Sequence, residues 1–103
     1  MIEYIREKLT TEELLAQLAE EATELAQAAL KLRRVYDGTN PTPKTHVQAI
    51  GDLHEEIADV QLLLRVLKLD TPRCENLQKN IAQGKLVRWA RRLAEKHGGA
   101  CNE

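Results

Sequence analysis

Phenylalanine is absent from this chain, and Tyr4, Tyr36 and Trp89 are its only large aromatic residues. The aromatic and β-branched runs expected of strands are missing as well, which argues against a sheet fold. Cysteine is scarce: Cys74 and Cys101 have no metal-like spacing, and two thiols make a poor disulfide framework. A reduced, cytoplasmic protein is therefore expected. No apolar run is long enough to span a bilayer, and Met1-Ile2-Glu3-Tyr4 carries no signal-peptide pattern. The formal net charge is −1, so no global field draws the chain to nucleic acid or to an anionic membrane. No Glu has a His three residues on, which sets aside a di-iron carboxylate bundle built on Glu-x-x-His.

What remains is helical. Of 103 residues, 43% are apolar and 30% charged, with Leu, Ala, Glu, Lys and Arg prominent. That is the composition of a helical bundle rather than of a disordered chain. The length predicts a single small domain over residues 1–103 with a modest core, so oligomerisation is expected as a further source of stability.

A short helical lead-in over residues 3–9 precedes Thr10-Thr11-Glu12-Glu13, where Thr10 and Glu13 fit a capping box. Leu15, Leu18, Ala22, Leu25, Ala29, Leu32 and Tyr36 then alternate at spacings of three and four, predicting a long amphipathic helix to about residue 36. Asp37 to Pro43, with one Gly and two Pro, is a break that reverses the chain and sets the next helix antiparallel. Thr45 and Gln48 offer a second capping box. The helix that follows carries Val47, Ile50, Leu53, Ile57, Val60, Leu64 and Leu67 on one face, with Asp52, Glu56, Asp59 and Leu63 on an adjacent one. After Asp59 it is apolar nearly all round, which predicts burial on more than one side and a dimer interface. Thr71-Pro72 opens a last helix, to about residue 97, in which Gly84 allows a kink. The fold class expected is all-α: an antiparallel bundle of about four helices, with the last few residues frayed.

Two acidic pairs stand out, Glu21 with Glu24 and Glu56 with Asp59. Residues three apart on a helix lie one above the other, roughly 5–6 Å apart at Cβ. Two such helices packed antiparallel bring four carboxylates around one pocket, and oxygen-rich clusters suit Mg²⁺. Solvated or salt-bridged surface is the competing reading. In favour of a site, Glu21 abuts the apolar stripe and Asp59 leads into an apolar run, where a carboxylate needs a partner to offset its desolvation. Leu25 and Leu63 occupy the positions four residues on, so helical i,i+4 salt bridges do not account for these acids.

Glu20-Glu21-x-x-Glu24 followed by Glu56-Ile57-Ala58-Asp59-Val60 and the later Lys79-Asn80 resembles the signature of the MazG-like, all-α nucleoside triphosphate pyrophosphohydrolases. The resemblance covers about residues 10–95. It implies a helical bundle, assembled as a homodimer or homotetramer, in which Glu21, Glu24, Glu56 and Asp59 bind Mg²⁺, with Mn²⁺ as the substitute cation. The implied reaction cleaves an NTP to NMP and pyrophosphate, in a nucleotide-pool house-cleaning role. Carboxylate-held Mg²⁺ neutralises phosphate oxygens and lowers the pKa of a bound water. Glu20 or Glu24 is the candidate general base. Lys79 and Asn80 are the candidate phosphate contacts, with Lys85 and Arg88 behind them, against the alternative of an ordinary charged helix face.

The 31 residues between Glu24 and Glu56 are many for the compact members of that family. Phosphoribosyl-ATP pyrophosphohydrolases, the runner-up, usually carry Tyr-His soon after the ExxD, where this chain has Gln61-Leu62-Leu63-Leu64. A non-catalytic helical oligomerisation module is the remaining alternative.

Overall fold

Three threonines open the three long helices. Thr10, Thr45 and Thr71 each sit in extended backbone and accept a hydrogen bond from the N–H three residues on, those of Glu13 (3.0 Å), Gln48 (3.2 Å) and Cys74 (3.3 Å). Each satisfies one of the four amide donors that a helix start leaves unpaired. The structure, a computed structural model, describes residues 1–39 and 44–98. Among these it contains four α-helices and no strand: α1 (Ile2–Lys8), α2 (Thr11–Asp37), α3 (His46–Val66) and α4 (Pro72–Lys96). The all-α class is therefore as expected. The part of the inter-helix break at residues 40–43, and the last few residues, expected to be frayed, lie outside the described residues.

Local details sharpen the reading. The box at Thr45 is complete, because the Gln48 side chain also accepts from the Thr45 N–H. At Thr10 only the first arm forms; the Glu13 carboxylate meets the Thr10 hydroxyl instead, at 3.2 Å. Gly38 ends α2 in the left-handed conformation (φ 75°) that only a residue without Cβ adopts freely. Gly84 does not divide α4, which runs unbroken from Pro72 to Lys96.

The chain forms two compact units, Met1–Leu69 and Asp70–Glu103. In the first, α2 and α3 pack along their length and α1 lies against α3. The pairing is antiparallel. Near the start of α2, Leu14 joins Leu63 and Val66 from the end of α3, with Ile5, Leu18 and Leu67 packed around them. At the opposite end, the Tyr36 ring meets His46 edge-on, with centroids 4.9 Å apart. Arg6 of α1 secures the last turn of α3: its Nε donates to the Val66 carbonyl (2.8 Å) and its Nη2 to that of Arg65 (2.9 Å). A cation at that position satisfies carbonyls that the helix leaves free and complements the negative end of its dipole.

The stripe on α2 is displaced by one residue from the expected one. Leu14 (6% exposed) and Ala28 (7%) are buried and Leu18, Glu21, Leu25, Leu32 and Val35 are partly buried, whereas Leu15 (48%) and Tyr36 (69%) are open to solvent. Leu18, Leu25 and Leu32 belong to both columns, so the alternation alone does not choose between them. On α3 the buried residues are Ala49, Leu63 and Val66, with Asp52, Glu56 and Asp59 partly buried along the same side. Of the expected main stripe, Ile50, Leu53, Ile57, Val60, Leu64 and Leu67 are partly buried and Val47 alone is exposed, so α3 is covered along both sides rather than one. Small Ala28 and Ala49 let the two backbones approach, which draws the intervening carboxylates into the seam.

In the second unit, α4 leaves Leu77, Ile81, Leu86, Trp89 and Leu93 exposed and has no buried residue. No helix among the described residues is long and apolar enough to cross a membrane.

Candidate functional site

The register that joins Leu14 to Leu63 at one end and Tyr36 to His46 at the other places Glu21 and Glu24 of α2 opposite Glu56 of α3. One carboxylate oxygen from each of Glu21, Glu24 and Glu56 lies within 4.8 Å of the other two. Glu21 and Glu56 are partly buried and Glu24 is exposed. Each of the two partly buried acids has one oxygen, Oε2, that is closed to solvent and accepts no hydrogen bond. The other Glu21 oxygen is approached by the Gln17 amide at 3.4 Å.

Like charges in a partly dry seam disfavour ionisation. Burial, then the neighbouring Glu24, push the Glu21 carboxyl above its ordinary range, and Asp59 adds to the effect. Glu56 is raised by the same causes: burial first, then Glu24, Asp59 and Glu21. Both groups lack a neighbouring positive charge to favour their ionised form. Three converging carboxylates are the kind of oxygen donor set that a hard divalent ion takes.

The expected residues fall in different places. Glu21, Glu24 and Glu56 come together; Asp59 lies one turn beyond Glu56, partly buried, where its charge acts on both buried acids without joining the three converging oxygens. Glu20 is exposed on α2 and takes no part in the cluster. Lys79, Asn80, Lys85 and Arg88 are all exposed residues of α4, in the second unit. There Lys79, Lys85, Leu86 and Trp89 border an open depression of about 720 Å³.

A cleft of about 350 Å³ along the α2–α3 seam brings in residues to which the sequence reading gave no role: Gln27, Ala28, Lys31, Lys44, Asp52 and Glu55 line it together with Glu24 and Glu56. Lys44 forms an ion pair with Asp52 across it. The signal for Asp52 lay in its spacing, four residues before Glu56 and on the same helix side. Lys44 follows directly on the undescribed segment, so no periodicity marks it. No protein-family model, no curated protein and no solved structure matches this chain.

Proposed function

We propose that the chain is a Mg²⁺-dependent nucleoside triphosphate pyrophosphohydrolase that cleaves (d)NTP to (d)NMP and pyrophosphate, as the resemblance of its acidic motifs implies. The observation that carries the reading is the convergence of Glu21, Glu24 and Glu56, two of them with a buried oxygen that accepts no hydrogen bond. A carboxylate held that way costs stability unless a ligand completes it. Glu21, Glu24 and Glu56 would hold Mg²⁺, or Mn²⁺ in its place, with Asp59 completing the charge of the site. The ion supplies charge neutralisation at the phosphates and acidification of a bound water. The chain's own residues do the rest. Gln17 orients Glu21, the apolar residues on either side of the acids keep the seam dry, and exposed Glu24, rather than Glu20 outside the cluster, would take a proton from an attacking water.

The experiment is release of pyrophosphate from standard and modified (d)NTPs with and without Mg²⁺. Turnover that requires Mg²⁺, and that falls to background in Glu21→Gln and Glu56→Gln, supports the reading. Turnover that survives both substitutions overturns the site.

A helical oligomerisation module is favoured by a different observation: Leu77, Ile81, Trp89 and Leu93 of α4 are all exposed, and the chain buries only a small core among its described residues. A cytoplasmic homodimer or homotetramer fits both readings, since exposed apolar side chains gathered on one helix suit a contact surface. Absence of nucleotide turnover from a tightly self-associated chain favours the module.

A further inference from the structure

The cleft beside the acids has two chemically different ends. Glu24 and Glu56, next to Glu21, form one; Lys31 and the Lys44–Asp52 ion pair form the other. Lys44 is neutralised by Asp52, and no carboxylate among the described residues lies within ion-pair distance of Lys31. Glu55, the remaining acid of the cleft, is an exposed residue and does not neutralise it. Lys31 is therefore an available cation in the cleft, two helical turns from Glu24, or about 10 Å along the axis at 1.5 Å per residue. A flexible ammonium on a four-carbon stem covers much of that separation. At about 350 Å³ the cleft is at the small end of ligand sites, enough for a polyphosphate but tight for a whole nucleotide.

We infer that Lys31 binds the phosphate chain of the substrate, which lies along the α2–α3 seam from the carboxylates toward Lys31. The inference rests on the pyrophosphohydrolase reading for the identity of the substrate, and it moves the principal phosphate contact from α4 to α2. Charge is then matched along the seam. The carboxylate end takes up a divalent ion, and the lysine end meets phosphate oxygens that this ion does not cover.

The test is calorimetric titration of inorganic tripolyphosphate into the full chain in MgCl₂, with wild type, Lys31→Gln, Lys31→Arg and Arg33→Gln compared. Lys31 and Arg33 are both exposed on α2, so the substitutions leave the fold intact, as thermal melts will verify, and Arg33 lies outside the cleft. Lys31→Gln is expected to weaken binding about tenfold, with most of it restored by Lys31→Arg. Loss of a cation elsewhere on α2, in Arg33→Gln, changes affinity by no more than about twofold. Equal affinities for Lys31→Gln and Arg33→Gln, or a wild type that binds no tripolyphosphate, overturn the inference. Pyrophosphate release from NTPs is read separately. Turnover with an unaffected Lys31→Gln removes this contact alone, whereas tripolyphosphate binding that depends on Lys31 without turnover removes the hydrolase reading and leaves the anion site standing.

Discussion

Glu21 of α2 and Glu56 of α3 meet in the same seam, each with its Oε2 closed to solvent and lacking a hydrogen-bond donor. Nothing about packing two helices calls for such a meeting. Leucine or alanine at either position would cover the seam without desolvating a charge.

The first consequence is a pH dependence. Burial, with Glu24 alongside, raises both carboxyl groups above their ordinary 4.5, so the folded chain binds protons more tightly than the unfolded one. Stability from these groups is present in full below the unfolded value and is lost as pH rises through the raised folded values. In EDTA, Glu21→Gln and Glu56→Gln are expected to melt near wild type in acid and above it at about pH 7. Thermal melts across that range decide the matter, and a variant that melts below wild type at neutral pH contradicts it.

A cation reverses the penalty. Mg²⁺ at a hundred times its Kd is expected to stabilise the wild type by about 2.7 kcal/mol, seen as a rise in Tm. Glu21→Gln combined with Glu56→Gln removes most of that rise. Melts with MgCl₂ against EDTA measure both, and an equal rise in the double variant refutes the assignment.

Leu14 and Leu15 are adjacent in sequence but not equivalent. Leu14→Ala, which opens the cluster with Leu63 and Val66, is expected to cost about 2–4 kcal/mol. Leu15→Ala, at an exposed position, is expected to cost no more than about 0.5 kcal/mol. Urea midpoints of the two variants distinguish the columns; similar losses would restore the one through Leu15 and Tyr36.

Arg6 joins α1 to the end of α3 through two carbonyls. Arg6→Ala is expected to cost about 1.5–3 kcal/mol, the range for hydrogen bonds made by a charged donor. Arg6→Lys recovers less than half, because one ammonium does not reproduce the planar fork. Urea denaturation of both variants checks the pair.

Lys68 holds φ at 60°, just beyond α3, where its N–H donates to the Arg65 carbonyl and that of Leu69 to Leu64. These are the two bonds of a Schellman turn, which ordinarily has glycine at this position. Lys68→Gly is expected to stabilise by up to about 1 kcal/mol, since a Cβ is disfavoured in the left-handed region. A lower urea midpoint than wild type would show that the Lys68 side chain outweighs that strain.

Helix positions were readable because their chemistry is local. Thr10, Thr45 and Thr71 announce three starts, Pro72 confirms the last, and Gly38 marks an end. Spacing also brought Glu21 near Glu24, since residues three apart on a helix share a side whatever else the chain does. Which column of α2 would be covered was not local. Leu18, Leu25 and Leu32 belong equally to a stripe through Ala22 and Ala29 and to one through Glu21 and Ala28, and hydropathy favours the former. Packing against α3 selected the latter: Leu14 against Leu63 and Val66, and small Ala28 and Ala49 allowing close approach, rotate α2 so that Glu21 enters the seam. Sequence alone determined the helices, their caps and the acidic pairs, all set by contacts within a few residues. Only the tertiary structure decided that Glu21, Glu24 and Glu56 converge, that two of their oxygens are stripped of partners and that Lys31 shares their cleft, because each depends on the register between segments some thirty residues apart.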